Sequence, residues 1–135
     1  MKNFSAKYRV YYEDTDAQGI VYYGNYLRYA ERARTDFLRL SNDVNQAELT
    51  KNTGVFFVVR KVEIEYISPG RLDDELSVTA EVIRMGKTSF DMKQEFYNQN
   101  NVKLADMKVQ IVCVKNEGNK IKSTRVPEKL VKHFS

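Results

Sequence analysis

Cysteine and histidine occur once each, as Cys113 and His133, and that scarcity removes much of the common catalytic repertoire. A single cysteine excludes an intrachain disulfide and leaves the cytoplasm as the simplest compartment. Cys113 lies in a run of strand character and reads as a small buried hydrophobe rather than a nucleophile. One His and one Cys supply neither a zinc ligand set nor a Ser-His-Asp triad. His133 stands near the end of a short C-terminal helix, in a solvated or capping position. No apolar run approaches the roughly 20 residues that span a bilayer, so no integral membrane segment is expected. The first residues, M-K-N-F-S-A-K-Y, lack the apolar stretch of a signal peptide. Also missing are the G-x-x-x-x-G-K-[ST] phosphate loop, the G-x-G-x-x-G dinucleotide turn and the G-x-S-x-G nucleophile elbow. What remains is carboxylate chemistry, with no metal or organic cofactor implied.

Charge is nearly balanced. The 22 basic and 18 acidic residues leave a net +4. The lysines are spread along the chain, with slight gatherings at 115–122 and 129–132. A nucleic-acid partner would want that charge on one face among aromatics, so none is expected. A small polyanionic ligand fits the balance at least as well as a polymer. At 135 residues, with 42% apolar and 30% charged side chains, the chain is expected to form one globular domain over 1–135.

Tyr8, Val10 and Tyr12 alternate with Arg9, Tyr11 and Glu13, which predicts a short first strand. A polar loop with Asp14 and Asp16 follows, then the aromatic stretch Ile20-Val21-Tyr22-Tyr23 bounded by Gly19 and Gly24. From Gly24 to Leu40 the period becomes helical. Tyr26, Ala30, Ala33 and Phe37 form the apolar stripe, and the opposite face carries Arg28, Glu31, Arg32, Arg34, Asp36 and Arg39. Residues 41–54 are polar and weakly helical at best. Four strand-like runs come next. Their inner faces are expected to be Phe56, Val58, Val62, Ile64 and Tyr66; then Leu76, Val78, Ala80 and Val82. Phe90, Met92 and Phe96 make the third, and Ala105, Met107, Val109, Ile111 and Cys113 the last. Pro127 opens a terminal helix that ends near Phe134. One strand, one long helix and a meander of strands make an α+β plan, a sheet packed on a helix.

Asp16 is the chemical centre of this pattern. A carboxylate just before a helix N-terminus can attack or activate water, while the helix's first N–H groups hold a developing oxyanion. Asp14, by contrast, reads as a loop-bonding residue. Glu31, flanked on the helix by Arg28 and Arg32, reads as a paired surface charge.

The segment Asp14-Thr15-Asp16-Ala17-Gln18-Gly19-Ile20-Val21-Tyr22-Tyr23-Gly24-Asn25-Tyr26 resembles the signature of the 4-hydroxybenzoyl-CoA thioesterase family. Within it, the chain is similar to the bacterial acyl-CoA thioesterase branch associated with the Tol–Pal envelope system. The likeness continues through 29–39, Pro69-Gly70, 84–90, 109–114 and Val126-Pro127. It implies a hotdog fold: an antiparallel sheet of five to six strands wrapped around one long central helix, in homodimers that join as homotetramers. It also implies a hydrolase of acyl-CoA, with acyl carrier protein as a further carrier of the acyl group. Asp16 falls on the family's nucleophile or general base, and Tyr23 and Gly24 on its oxyanion site. Gly19, Val21, Tyr22 and Tyr26 fall about the acyl group. Lys87, Thr88, Ser89, Lys120 and Lys122 fall where relatives bind the coenzyme phosphates. Many relatives have His where this chain has Tyr23, and a phenol is a poor base at neutral pH. Two other readings stand beside this one. One is a non-catalytic acyl-CoA or acyl-carrier-protein binding module. The other is a hotdog dehydratase, disfavoured because the helix lacks the His such enzymes use.

Overall fold

The computed structural model describes residues 4–134; Met1, Lys2 and Asn3, which open the segment read above for a signal peptide, and Ser135 lie outside the described residues. Six strands form one antiparallel sheet: β1 (Phe4–Arg9), β2 (Val55–Tyr66), β3 (Glu75–Met85), β4 (Ser89–Tyr97), β5 (Lys103–Glu117) and β6 (Lys120–Ser123). Their order is β1-β3-β4-β5-β2, with β6 paired to the end of β5. Three helices accompany them, α1 (Asn25–Asn42), α2 (Gln46–Thr53) and α3 (Glu128–Phe134). The α+β sheet-on-helix plan read from the sequence is the plan observed.

Periodicity explains why α1 lies where it does. Tyr26, Ala30, Ala33 and Phe37 are all buried, and the two alanines are fully enclosed where the helix crosses the sheet. A Cβ-only side chain lets backbone approach backbone there, so the sheet can close around the helix. The inner faces of β3 and β5 alternate as expected, with Leu76, Val78, Ala80 and Val82, and Ala105, Met107, Val109, Ile111 and Cys113, all buried. Burial pushes the Cys113 thiol up to about 12, consistent with an inert core residue. Among the described residues no helix is long and apolar enough to cross a membrane.

Four expectations need correction. The first strand ends at Arg9, and Tyr12 enters a 3-10 turn (Tyr12–Asp14) with its ring 82% exposed. Residues 46–53 form a complete helix: the Asn45 side chain accepts from the Glu48 N–H, and Gly54 closes the end in a left-handed conformation. The face of β2 expected inside is largely outside, with Val58, Val62 and Tyr66 at 36–45% exposure. A bulge between Val59 and Lys61 shifts the strand's parity, and β2 ends the sheet with one edge unpaired. Arg34, assigned to the solvent face, is buried. Its Nη1 donates to Gln94 Oε1 at 3.0 Å, while Gln94 Nε2 donates to the Ala30 carbonyl at 2.9 Å. Its acidic neighbour is Glu31, at 3.9 Å, rather than Glu31 pairing with Arg28 or Arg32.

Candidate active site

The loop between β1 and α1 is a small antiparallel hairpin run directly into a helix. Tyr22 N–H donates to the Asp14 carbonyl at 3.0 Å and Asp16 N–H to the Ile20 carbonyl at 2.9 Å. Between those rungs the chain reverses through Ala17, Gln18 and Gly19, and Gly19 takes φ +77°, a left-handed conformation that favours glycine. A bridge from Ile20 to Arg71 and a 2.8 Å bond from Val21 N–H to the Gly70 carbonyl anchor the hairpin on the turn before β3. A side chain at Gly70 would meet Val21 Cγ2 at 3.0 Å and the Tyr26 hydroxyl at 3.3 Å, so that approach needs glycine.

The two aspartates divide as their surroundings dictate. Asp14 Oδ2 accepts from the Tyr29 hydroxyl at 2.7 Å and from the Tyr11 N–H at 2.9 Å. Its carbonyl accepts from Asn25 Nδ2 at 2.8 Å as well as from Tyr22. Tyr29 is 1% exposed; burial first, and then the bond to Asp14, raise its phenol well above the ordinary range. Asp14 therefore staples the loop to α1. Asp14→Ala is expected to cost about 1–2 kcal/mol in urea unfolding, because it strips a partner from a buried hydroxyl. Asp16→Ala, at an exposed position, is expected to cost less than about 0.5 kcal/mol in the same measurement.

Asp16 is exposed and only half engaged. Its Oδ1 accepts from the Gln18 N–H at 2.8 Å, which fixes the rotamer. Oδ2 has no partner among the described residues. The hairpin then passes through the turn 22–25, closed by Asn25 N–H to the Tyr22 carbonyl at 2.8 Å, with Gly24 as N-cap of α1. Among the described residues neither the Tyr23 nor the Gly24 N–H has an acceptor. A free carboxylate oxygen and two free N–H groups at a positive helix end thus belong to one stretch of ten residues or so.

Aromatic rings surround that stretch. Tyr22 and Tyr23 lie 4.7 Å apart between centroids, and the Tyr23 hydroxyl raises the Tyr22 phenol. Tyr66 meets Tyr23 edge-on at 6.2 Å and Tyr26 at 5.3 Å, and Tyr26 meets Phe96 at 5.3 Å. Val21 and Tyr26 are core residues, 4% and 3% exposed, so they shape the site from behind; Tyr22 and Tyr23 stand in the open. Tyr66, Gly70, Asn25 and Tyr29 were not read as site residues. Asn25 lies within the signature segment, and Tyr29 and Gly70 within the stretches of likeness; nothing in the sequence points to Tyr66.

The basic residues are elsewhere. Lys87 and Thr88 lie in the turn after β3 and Ser89 opens β4; the Thr88 carbonyl accepts from the Cys113 N–H and Ser89 Oγ accepts from Arg84. Lys120 and Lys122 lie on β6, exposed, with Lys122 at 3.3 Å from Glu117. This group adjoins the Met85 end of β3, and the Asp16 loop adjoins its Glu75 end. Eleven residues of strand separate the two ends, about 33 Å at the usual rise. One chain does not bring them together.

A curled antiparallel sheet on one long helix, with a carboxylate loop running into that helix, defines a hotdog protein of the thioesterase class. Residues 18–105 match the thioesterase superfamily, and the chain belongs to that family. It is 42% identical over 126 residues to the acyl-CoA thioester hydrolase YbgC of Escherichia coli, covering 93% of this chain and 91% of that protein. It is 37% identical over 131 residues to the acyl-CoA thioesterase YbgC of Haemophilus influenzae, covering 97% and 93%. A solved variant of 4-hydroxybenzoyl-CoA thioesterase, in complex with 4-hydroxybenzoyl-CoA, superposes over the whole of both chains. Its TM-score is 0.91 at 16% identity, a likeness of fold.

Proposed function

We propose that this thioesterase hydrolyses a short-chain aliphatic or aromatic acyl-CoA to the free acid and coenzyme A, with Asp16 as the reacting carboxylate. The observation that carries the reading is the half-engaged Asp16: one oxygen tied to Gln18, the other free, in a hairpin that ends at two unpaired N–H groups. As the thioester carbon is attacked, its carbonyl electrons move to oxygen, and donors at Tyr23 and Gly24 suit that charge. Collapse expels the coenzyme thiolate. Asp16 serves either as nucleophile, giving a mixed anhydride that water cleaves, or as general base for water. Carboxylate, helix terminus and water suffice for this chemistry, so no further cofactor enters it. Tyr22 and Tyr23 flank the acyl group and Gly19 shapes the loop against it.

A second copy of the chain completes the site in this reading. The free edge of β2 carries exposed Val58, Val59, Val62 and Tyr66, an apolar strand edge that invites pairing. Antiparallel pairing of β2 with its copy would set the Val55 end of one strand beside the Tyr66 end of the other. The partner's Lys87, Lys120 and Lys122, distant within one chain, would then approach this chain's Asp16 and meet the coenzyme phosphates. A homodimer is thus the smallest active unit, with further assembly to a homotetramer, and sedimentation of the purified protein reads which of the two forms. The lone, buried Cys113 supports a cytoplasmic location.

Thiol release from a panel of acyl-CoAs, short aliphatic to aromatic, and from acyl-carrier-protein thioesters tests the reading. Turnover on acyl-CoA members is expected. Saturable binding with no turnover on any thioester would instead make the protein a binding module.

A further inference from the structure

We propose that the Tyr66 hydroxyl is a positioning group for the oxyanion site, holding the Tyr23 carbonyl and, through it, the Gly24 N–H, one of the two donors that receive the developing charge. The inference rests on the hydrolytic reading of Asp16 and the α1 N-terminus given above.

Tyr66 Oη donates to the Tyr23 carbonyl at 3.0 Å across 43 residues of sequence. The neighbouring carbonyls of the turn are occupied locally: Tyr22 O accepts from Asn25 N–H, and Gly24 O from Leu27 N–H at 3.3 Å. Tyr23 O precedes the N-cap, so no helical N–H reaches it. Among the described residues Tyr66 is its one partner. A peptide unit is planar, with carbonyl and following N–H pointing opposite ways, so fixing Tyr23 O fixes the direction of the Gly24 N–H. The Tyr23 N–H lies in the preceding peptide plane, whose carbonyl, Tyr22 O, is already held by the Asn25 N–H.

Glycine at position 24 makes that anchor necessary. A Cβ there would stand 2.8 Å from the exposed Tyr22 ring, which would have to turn aside, so glycine lets that ring lie over the turn. Glycine, however, offers the least resistance to rotation of the peptide before it. Nothing on the Gly24 side holds the plane, and the Tyr66 hydroxyl supplies the missing constraint. Tyr66 is itself held, edge-on against Tyr23 and against Tyr26, whose ring is buried on Phe96. Burial first, then the neighbouring Tyr23, raises its phenol, which keeps it a donor at neutral pH.

Tyr66→Phe keeps the ring contacts and removes the hydroxyl alone. On the best acyl-CoA, kcat is expected to fall about tenfold with KM within about twofold of wild type, the loss of one orienting bond. The melting temperature should not move, and the Gly24 amide resonance should shift while those of β3 stay. Tyr66→Leu, which removes the ring as well, is expected to lose stability too, with kcat no better than that of the Phe variant. Wild-type kcat in Tyr66→Phe, or a loss confined to KM or to melting temperature, would overturn the proposal. If the wild type releases no thiol from any thioester, the hydrolytic reading fails. The Gly24 amide then decides the positioning role alone: a shift supports it, and an unmoved Gly24 resonance overturns it.

Discussion

Asp16→Asn is expected to lower kcat by about 10² or more while acyl-CoA binding stays within about twofold of wild type. Asn has nearly the shape of Asp, and its amide oxygen can still accept from the Gln18 N–H, so the hairpin keeps its course. What disappears is the anionic oxygen proposed to attack the thioester or take a proton from water. The side chain is exposed in the single chain, so stability should not change with it. Thiol release at saturating substrate, with calorimetric binding of the same acyl-CoA, separates the two effects. Equal turnover in mutant and wild type would remove Asp16 from the chemistry.

Val62→Arg is expected to convert the protein to monomers at micromolar concentration and to lower turnover by about 10². Val62 lies near the middle of β2, paired on one side with Val109 and 36% exposed on the strand that ends the sheet. Arg60 and Lys61 already stand beside it. In a two-fold pairing each copy meets the same stretch of the other, so an added Arg is repelled twice. Loss of the partner would also remove the lysines proposed to meet the coenzyme. Sedimentation and thiol release on the same sample read both consequences. A monomeric variant with wild-type turnover would show that one chain is sufficient.

The parts legible in the sequence were those governed by a strict local period. α1 announces itself because Tyr26, Ala30, Ala33 and Phe37 must all face one sheet, and β3 and β5 because their alternation is unbroken. α2 buries no side chain of its own, so no stripe betrays it; its local signals are its caps, Asn45 and Gly54. β2 misled because a bulge changes parity midway, and because whether a strand ends a sheet is a property of topology, invisible along the strand. Arg34 misled for a related reason. A long cation on a helix is usually solvated, and here Gln94, a polar residue inserted among Phe90, Met92 and Phe96, takes it inside.

The site divides the same way. Asp16, Gly19, Tyr23 and Gly24 are contiguous enough for one motif to contain them. Tyr66 and Gly70 reach the site only when the sheet closes, 40 or more residues along the chain. The lysines were grouped with Asp16 by resemblance, and the register of β3 shows that about 33 Å of strand lies between them in one chain. The second copy proposed above reconciles those two facts.

A mixing experiment tests that account most directly. Asp16→Asn and the double variant Lys87→Glu, Lys122→Glu would be prepared separately, assayed well below KM, then mixed equally with subunit exchange. If one chain gives the carboxylate and its partner the lysines, each mixed dimer holds one intact site. Thiol release should then rise from near zero to about a quarter of wild type. Activity no greater than the mean of the two separate variants would contradict the shared site.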